Sequence, residues 1–288
     1  MTDRNDLPGR RTLIRAGAGL LALPMAGLVS PARAANSSWQ NIMDTGVVRF
    51  GVLASHGPYH DFQNGKWIGF AIQMGLDCMA ALSKAMKKPL RADYVETSLA
   101  NVILDLQADK LDLYFGLTAS AERRHAVTLF GPIYELPECA INGRGFNPGD
   151  TWEAYNKPSV AVAVVMGSTD EQAAQKMLPK ADIRSLKSTA EAILDVQSGN
   201  SKAMINTLLS GMMAKKQTPN LADPVVLQPL FTQPSTGGTR KDADGRFGVF
   251  LDQWAKEYRA SGRSKAVILE AMQHFGLDTT NLPPTLQF

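Results

Sequence analysis

Asp112-Leu-Tyr-Phe-Gly-Leu-Thr-Ala-Ser-Ala-Glu-Arg-Arg-His-Ala-Val-Thr-Leu-Phe-Gly-Pro-Ile-Tyr134 is the stretch on which the reading of this chain turns. A short apolar strand, Leu111 to Phe115, breaks at Gly116. Two small hydroxyl residues, Thr118 and Ser120, follow, then Arg123, an apolar return through Val127 and Phe130, and a Gly-Pro turn. A strand that ends in small residues leaves backbone N–H groups open. A guanidinium five residues beyond Thr118 adds a planar, bidentate fork, and together these can hold a carboxylate. Taken alone, the same residues also describe a strand, a loop and a solvated arginine. The flanking sequence decides between the two.

Working outward, alternating strands and amphipathic helices appear on both sides. Before the central stretch come a buried strand from Gly46 to Leu53 and an aromatic and imidazole-rich loop, Ser55 to Phe62. An Asn64-Gly65 turn follows. A helix then carries Ile72, Leu76, Met79, Leu82 and Met86 on one face, and Tyr94-Val95 begins a second strand. Ser98 is placed to cap a helix with Leu99, Val102, Ile103 and Leu106 on its apolar face. This is an α/β lobe with a largely parallel sheet.

After Tyr134, residues 136–141 read as extended, and a second α/β unit opens with the strand from Ser159 to Val165. Ser168 and Glu171 have capping-box spacing, so the turn at Gly167-Ser168-Thr169 presents free N–H groups and the positive end of a helix. Ser188 and Glu191 repeat the box. A strand runs from Ala203 to Ile205, residues 225–231 are extended, and two closing helices carry Phe247, Leu251, Trp254, Tyr258 and then Val267, Ile268, Met272.

Composition narrows the function. With 44% hydrophobic and 20% charged residues the chain is a folded one. Lys and Arg total 30 and Asp and Glu 27; residues 1–34 hold five of the bases and two of the acids, which leaves the remainder neutral. No nucleic-acid partner is expected. Arg10-Arg11, an apolar run from Ala16 to Val29 and the site Ala32-Arg33-Ala34 make a twin-arginine export signal, cleaved near Ala34, with the mature protein in the periplasm. The run of about 14 residues is too short to span a bilayer. Cys78 and Cys139 are expected to be two buried thiols rather than a disulfide. No phosphate-binding loop or dinucleotide fingerprint is present, so no cofactor is expected. His56-x3-His60 has no visible third ligand, and no metal site is expected.

The order of these pieces resembles the periplasmic solute-binding proteins of polar amino-acid ABC transporters, family 3. The matching residues are the strand Val47–Leu53, Gly69-Phe70, and Asp112 with Ser120-Ala121-Glu122-Arg123 and Phe130-x-Pro-x-Tyr134. Gly167-Ser168-Thr169, Gly199 before a strand, and Arg240-Lys241 complete them. The resemblance implies an α/β fold of two lobes joined by two extended crossovers, near 136–140 and 229–236, of the periplasmic binding protein type II kind. Residues 35–137 and 232–288 would form lobe 1, and 138–231 lobe 2. It implies a monomer that captures a small carboxylate ligand between the lobes and hands it to a membrane permease.

By position, Arg123 would grip the carboxylate with Thr118 and the backbone near Gly116. Ser168 and Thr169 would add donors, and Tyr59 or Phe62 would stack on the ligand. Arg124, adjoining Arg123, leaves the carrier of the clamp open between the two. Eight residues past Gly199, where the family often has an Asp for the α-ammonium group, this chain has Thr207, beside Asn206. That departure implies a ligand without a free α-ammonium, or one whose amine another acid meets. The alternative is an enzyme on the same fold, a prephenate dehydratase-like protein, with His56, His60, Glu135 and Glu138 as acid–base candidates.

Overall fold

The computed structural model describes residues 37–54, 56–280 and 282; the export signal read in residues 1–34 lies outside them. The chain enters through α1 (Ser38–Thr45), whose cap is the Ser37 hydroxyl accepting from Gln40 N at 2.9 Å, and Gly46 at φ +70° ends it. Nothing in the periodicity marked this helix, because Ile42 is its one buried apolar side chain. Then come β1 (Val47–Val52), the small hairpin β2 (Asp61–Gln63) and β3 (Lys66–Ile68), α2 (Phe70–Met86) and β4 (Arg91–Glu96). β4 lies parallel to β1 from Val47 opposite Arg91 to Val52 opposite Glu96, with α2 as the crossover. α2 buries Phe70, Ala71, Met74, Cys78 and Leu82, while Leu76, expected on that face, lies on its exposed flank.

The central stretch departs in detail from the reading of its sequence. α3 (Val102–Gln107) begins after Ser98 and Leu99 rather than at them, although Ser98 Oγ still accepts from Asn101 N. The strand is β5 (Tyr114–Thr118), and it passes through Gly116 instead of breaking there, at φ +96°, a conformation that glycine adopts at little cost. The presumed loop is a short helix, α4 (Ala121–Ala126), capped by Ser120. Asp112, at the head of the stretch, is a structural anchor. Its buried carboxylate takes the Arg49 guanidinium at 2.6 and 3.0 Å and the Arg49 backbone N–H at 2.8 Å, tying this segment to β1.

β6 (Thr128–Asn142) is a single strand of 15 residues. Beyond it lie α5 (Trp152–Tyr155), β7 (Ala161–Val165), α6 (Thr169–Met177), β8 (Asp182–Leu186), α7 (Thr189–Gln197), β9 (Ala203–Thr207) and α8 (Leu208–Gln217). β10 (Val225–Val226) is far shorter than the extended run expected over 225–231. The chain returns along β11 (Thr232–Thr239) and closes with α9 (Arg246–Ala260) and α10 (Arg263–His274).

The long sheet has the order β5-β11-β6-β9-β7-β8, and its pairing shows how two lobes are joined. β7 is parallel to both β8 and β9, but β6 is antiparallel to β9, with Glu138 opposite Thr207 and Asn142 opposite Ala203. The N-terminal part of β6, from Thr128 to Pro137, pairs antiparallel with β11. One strand therefore serves the first lobe with one half and the second with the other. The apolar interior divides accordingly. Phe50, Met74, Leu82, Phe115, Phe247 and Ile268 belong to one core, and Leu111, Leu117 and Val127 to a satellite beside it. Ile141, Val165, Val196 and Met204 pack on one face of the second sheet, and Trp152, Val162, Val164 and Ile205 on the other. Cys78 lies in the first of these cores and Cys139 in the second lobe; both are buried free thiols, as expected.

Candidate ligand-binding cleft

Where the two halves of β6 meet, a cleft of about 50 Å³ opens between the lobes. Seven of the eight residues singled out from the sequence line it: Tyr59, Gly116, Thr118, Arg123, Ser168, Thr169 and Thr207. Phe62 does not. It sits on the β2–β3 hairpin, 53% exposed, with its ring 5.1 Å from that of Trp67 and outside the cleft lining. The two residues alternate in the aromatic loop, and only the hairpin, invisible as such in a run of aromatics, separates them.

Each lining residue is fixed by its local structure. Tyr59 is held because the first N–H groups of α2, on Phe70 and Ala71, donate to Pro58 O and Tyr59 O at 2.9 and 3.1 Å. Gly69, at φ +119°, lets these strands of chain touch, since a Cβ there would lie 2.2 Å from Tyr59 O. The N-terminus of α2 is thereby satisfied internally. The Tyr59 hydroxyl crosses the cleft to Thr207 Oγ1 at 2.7 Å, and Thr207 Oγ1 donates in turn to Ser210 Oγ at 3.1 Å. Ser168 Oγ accepts from Glu171 N at 3.0 Å, and Gly167 N donates to Glu171 Oε2 at 2.7 Å, so the hydroxyl is engaged as a cap.

The turn of α4 sends the two arginines to opposite sides. Arg124 faces solvent, while Arg123 is buried. The Arg123 guanidinium donates to Thr118 O at 3.0 Å and, across the cleft, to Gly167 O at 3.0 Å. Burial lowers its pKa, and among the described residues it has no carboxylate in ion-pair contact.

Two acids complete the lining. Glu138 projects from β6, directly across the ladder from Thr207, and Asp170 sits in the first turn of α6. Glu138 is 1% exposed and Asp170 is 8% exposed. Glu138 Oε1 accepts from Gln233 Nε2 at 3.1 Å, whereas Oε2 meets no N–H or hydroxyl donor. Burial raises both carboxyls above the ordinary carboxylate range, Asp170 to about 6 and Glu138 further. Each interacts with the other, and Arg123 partly offsets the rise at Asp170. The pair thus holds a proton more tightly than free carboxyls do. Glu138 had been noted from sequence only as a possible acid, and Asp170 not at all, since it reads as an ordinary first-turn helix acid. Of the other acid–base candidates, His56 lines the cleft with its ring 5.1 Å from that of Tyr59, and burial holds it down to about 4; Glu135 pairs with Arg259 at 3.5 Å, and His60 is fully buried beside Phe50 and Tyr114.

Two lobes on a split sheet, with a buried cation and buried acids facing each other across the gap, define a solute-binding protein of the type II periplasmic kind. Residues 48–225 match the bacterial extracellular solute-binding proteins, family 3, and the chain belongs to that family. Among solved structures, it is similar to the ancestral amino acid-binding protein AncCDT-1, a precursor of cyclohexadienyl dehydratase. The identity is 27% over 81% of this chain and 99% of that one, with a TM-score of 0.70. The solute receptor for L-cysteine of Neisseria gonorrhoeae shares the fold at 19% identity, covering 88% of this chain and 100% of that one, with a TM-score of 0.74. The arginine-bound form of truncated ArgBP from T. maritima does so at 18%, covering 76% and 99%, with a TM-score of 0.66. No curated protein matches the sequence.

Proposed function

We propose that the cleft captures a small carboxylate-bearing solute, an amino acid or a related organic acid, for delivery to an ABC-type membrane permease. The observation that carries this reading is Arg123. A buried guanidinium bonded only to backbone carbonyls, with Asp170 near but not in ion-pair contact, is a charge that an anion from solution can meet directly. Tyr59, Gly116, Thr118, Thr169 and Thr207 surround the ligand, with the Ser168 cap presenting the N-terminus of α6. Titration calorimetry against a panel of small carboxylates tests the reading. Arg123→Ala should weaken the tightest binder about 30-fold or more, because truncating one partner of a desolvated charge pair costs about 2–5 kcal/mol. Arg124→Ala should change it little. Equal losses in both variants would remove Arg123 from the role of clamp.

The same reading takes residues 1–34 as a twin-arginine export signal, the mature chain as a periplasmic monomer, and lobe boundaries at 137/138 and 231/232. A second reading, an eliminating enzyme on this fold, is favoured by the raised carboxyl of Glu138, which is placed to act as a general acid in a closed cleft. Loss of prephenate absorbance on incubation with purified protein, abolished in Glu138→Gln, would establish it. Saturable binding without turnover leaves capture as the function.

A further inference from the structure

The acid that the family often places at the position of Thr207 has a counterpart one strand away. Glu138 stands directly opposite Thr207 in the β6–β9 ladder, and Asp170 reaches the same end of the cleft from α6. We propose that Glu138 and Asp170 together form a cation subsite, which holds the ammonium group of an amine-bearing ligand whose carboxylate lies on Arg123. The proposal rests on the reading of Arg123 as the carboxylate clamp and names the chemistry at the other end of the ligand.

Three features support it. First, Glu138 is buried beyond nine-tenths and lines the cleft, yet one of its oxygens meets no N–H or hydroxyl donor and has only the Asp170 carboxyl to share a proton with. Buried carboxyl oxygens are seldom left so. Secondly, the donors around the pair are too few. Gln233 Nε2 serves Glu138 Oε1 and also approaches Thr169 O at 3.4 Å, and no Lys or Arg is in ion-pair contact with either acid among the described residues. An ammonium carries three donors and a positive charge, which is the set of groups missing here. Thirdly, the acids and Arg123 line one cleft, so that a zwitterion can satisfy both ends at once.

A proton balance follows. With no cation present the two carboxyls share a proton, because two buried anions in contact are costly. An arriving ammonium replaces that proton: it bonds the carboxylates, and up to one proton passes to solvent. The charged and titratable groups that line the cleft with the pair or interact with it are Arg123 from α4, His56 and Tyr59 from the loop before β2, and Tyr134 and Cys139 from β6 itself. Burial pushes the phenols and the thiol upward and holds the His56 imidazole down to about 4, in each case away from neutrality, and Arg123 stays charged. The carboxyl pair is thus the group in the cleft from which an arriving cation displaces a proton.

The test is calorimetry at pH 7 with matched pairs: L-alanine and L-lactate, L-phenylalanine and L-phenyllactate, L-glutamate and 2-hydroxyglutarate. Each titration is repeated in phosphate and in Tris, whose ionisation enthalpies differ, so that released protons are counted. The amino member of the pair that binds should be tighter by about 30-fold or more and should release a fraction of a proton up to one. Glu138→Gln and, independently, Asp170→Asn should remove most of that preference and reduce the release, leaving the hydroxy acid at least as well bound.

Equal affinity within a pair, or an amino preference that survives both substitutions, overturns the subsite. If no acid of any pair binds, it is the carboxylate reading that fails. Protection by 1,4-diaminobutane and 1,5-diaminopentane against thermal unfolding then decides the subsite alone. Protection removed by Glu138→Gln supports it, and no protection overturns it.

Discussion

Asp170 shows what a buried carboxyl costs the protein that carries it. Burial holds its carboxyl at about 6 in the folded chain, against about 4 when unfolded. Between those values the folded state binds the proton more tightly, so this group contributes stability below pH 4 that is lost as pH rises through 6. Asp170→Asn should therefore stabilise the ligand-free protein at pH 7, by on the order of 1–3 kcal/mol, and should do little at pH 4. Urea unfolding of both proteins at the two pH values measures this. A gain as large at pH 4 as at pH 7 would show that the asparagine stabilises by packing or hydrogen bonding alone. His60 works in the other direction: desolvation, aided by His56, holds it down to about 3, so its contribution is present above pH 6.5 and lost on acidification. Being common to wild type and variant, it cancels from the difference.

Among the elements, β6 and β11 carry the joint between the lobes, and their contact depends on one position without a side chain. Gly237 of β11 lies against the Phe130 ring of β6, where a Cβ would come within 1.9 Å of the ring. Phe130 cannot step aside, since Phe115 packs on it edge to face at 5.4 Å. Gly237→Ala should destabilise by about 3 kcal/mol or more, read as a lower urea midpoint, with ligand affinity reduced because the crossovers no longer align. A variant with unchanged midpoint would show that the joint is softer than its packing indicates. The same elements explain what the sequence could and could not disclose. Capping boxes at Ser168 and Ser188, the strand at Val47, and the order of α/β units are local patterns, and they were legible. The meeting of Glu138 with Asp170 depends on which strands pair and on where α6 begins, and no residue spacing encodes that. Phe62 misled for the converse reason: an aromatic loop looks uniform until a hairpin turns one ring outward.

At the scale of the whole molecule, the cleft is bridged by bonds too few to keep it shut. Tyr59 reaches Thr207 at 2.7 Å and Arg123 reaches Gly167 O at 3.0 Å, one residue of each pair from each lobe. Net contributions of about 1 kcal/mol for a neutral hydrogen bond, and up to about 3 for one to a charged group, are comparable to the free energies that separate open and closed states. The cleft volume of about 50 Å³ accommodates roughly four water molecules, so a solute the size of an amino acid is expected to need the lobes to part along β6 and β11. A bound zwitterion would add contacts to Arg123 on one side and to α6 on the other, and would weight the ensemble toward closure. Solution scattering should show a smaller radius of gyration with saturating ligand, and unfolding should be opposed by roughly 2.7 kcal/mol at a hundredfold excess over Kd. Tyr59→Phe supplies the sharper measurement. It removes one bridge while keeping the ring against Phe70, 4.5 Å away, so the free protein should become more open and the ligand-induced contraction larger. If the variant and the wild type scatter identically when free, and neither contracts on binding a ligand verified by calorimetry, the hinge between the lobes is not part of how this protein takes up its solute.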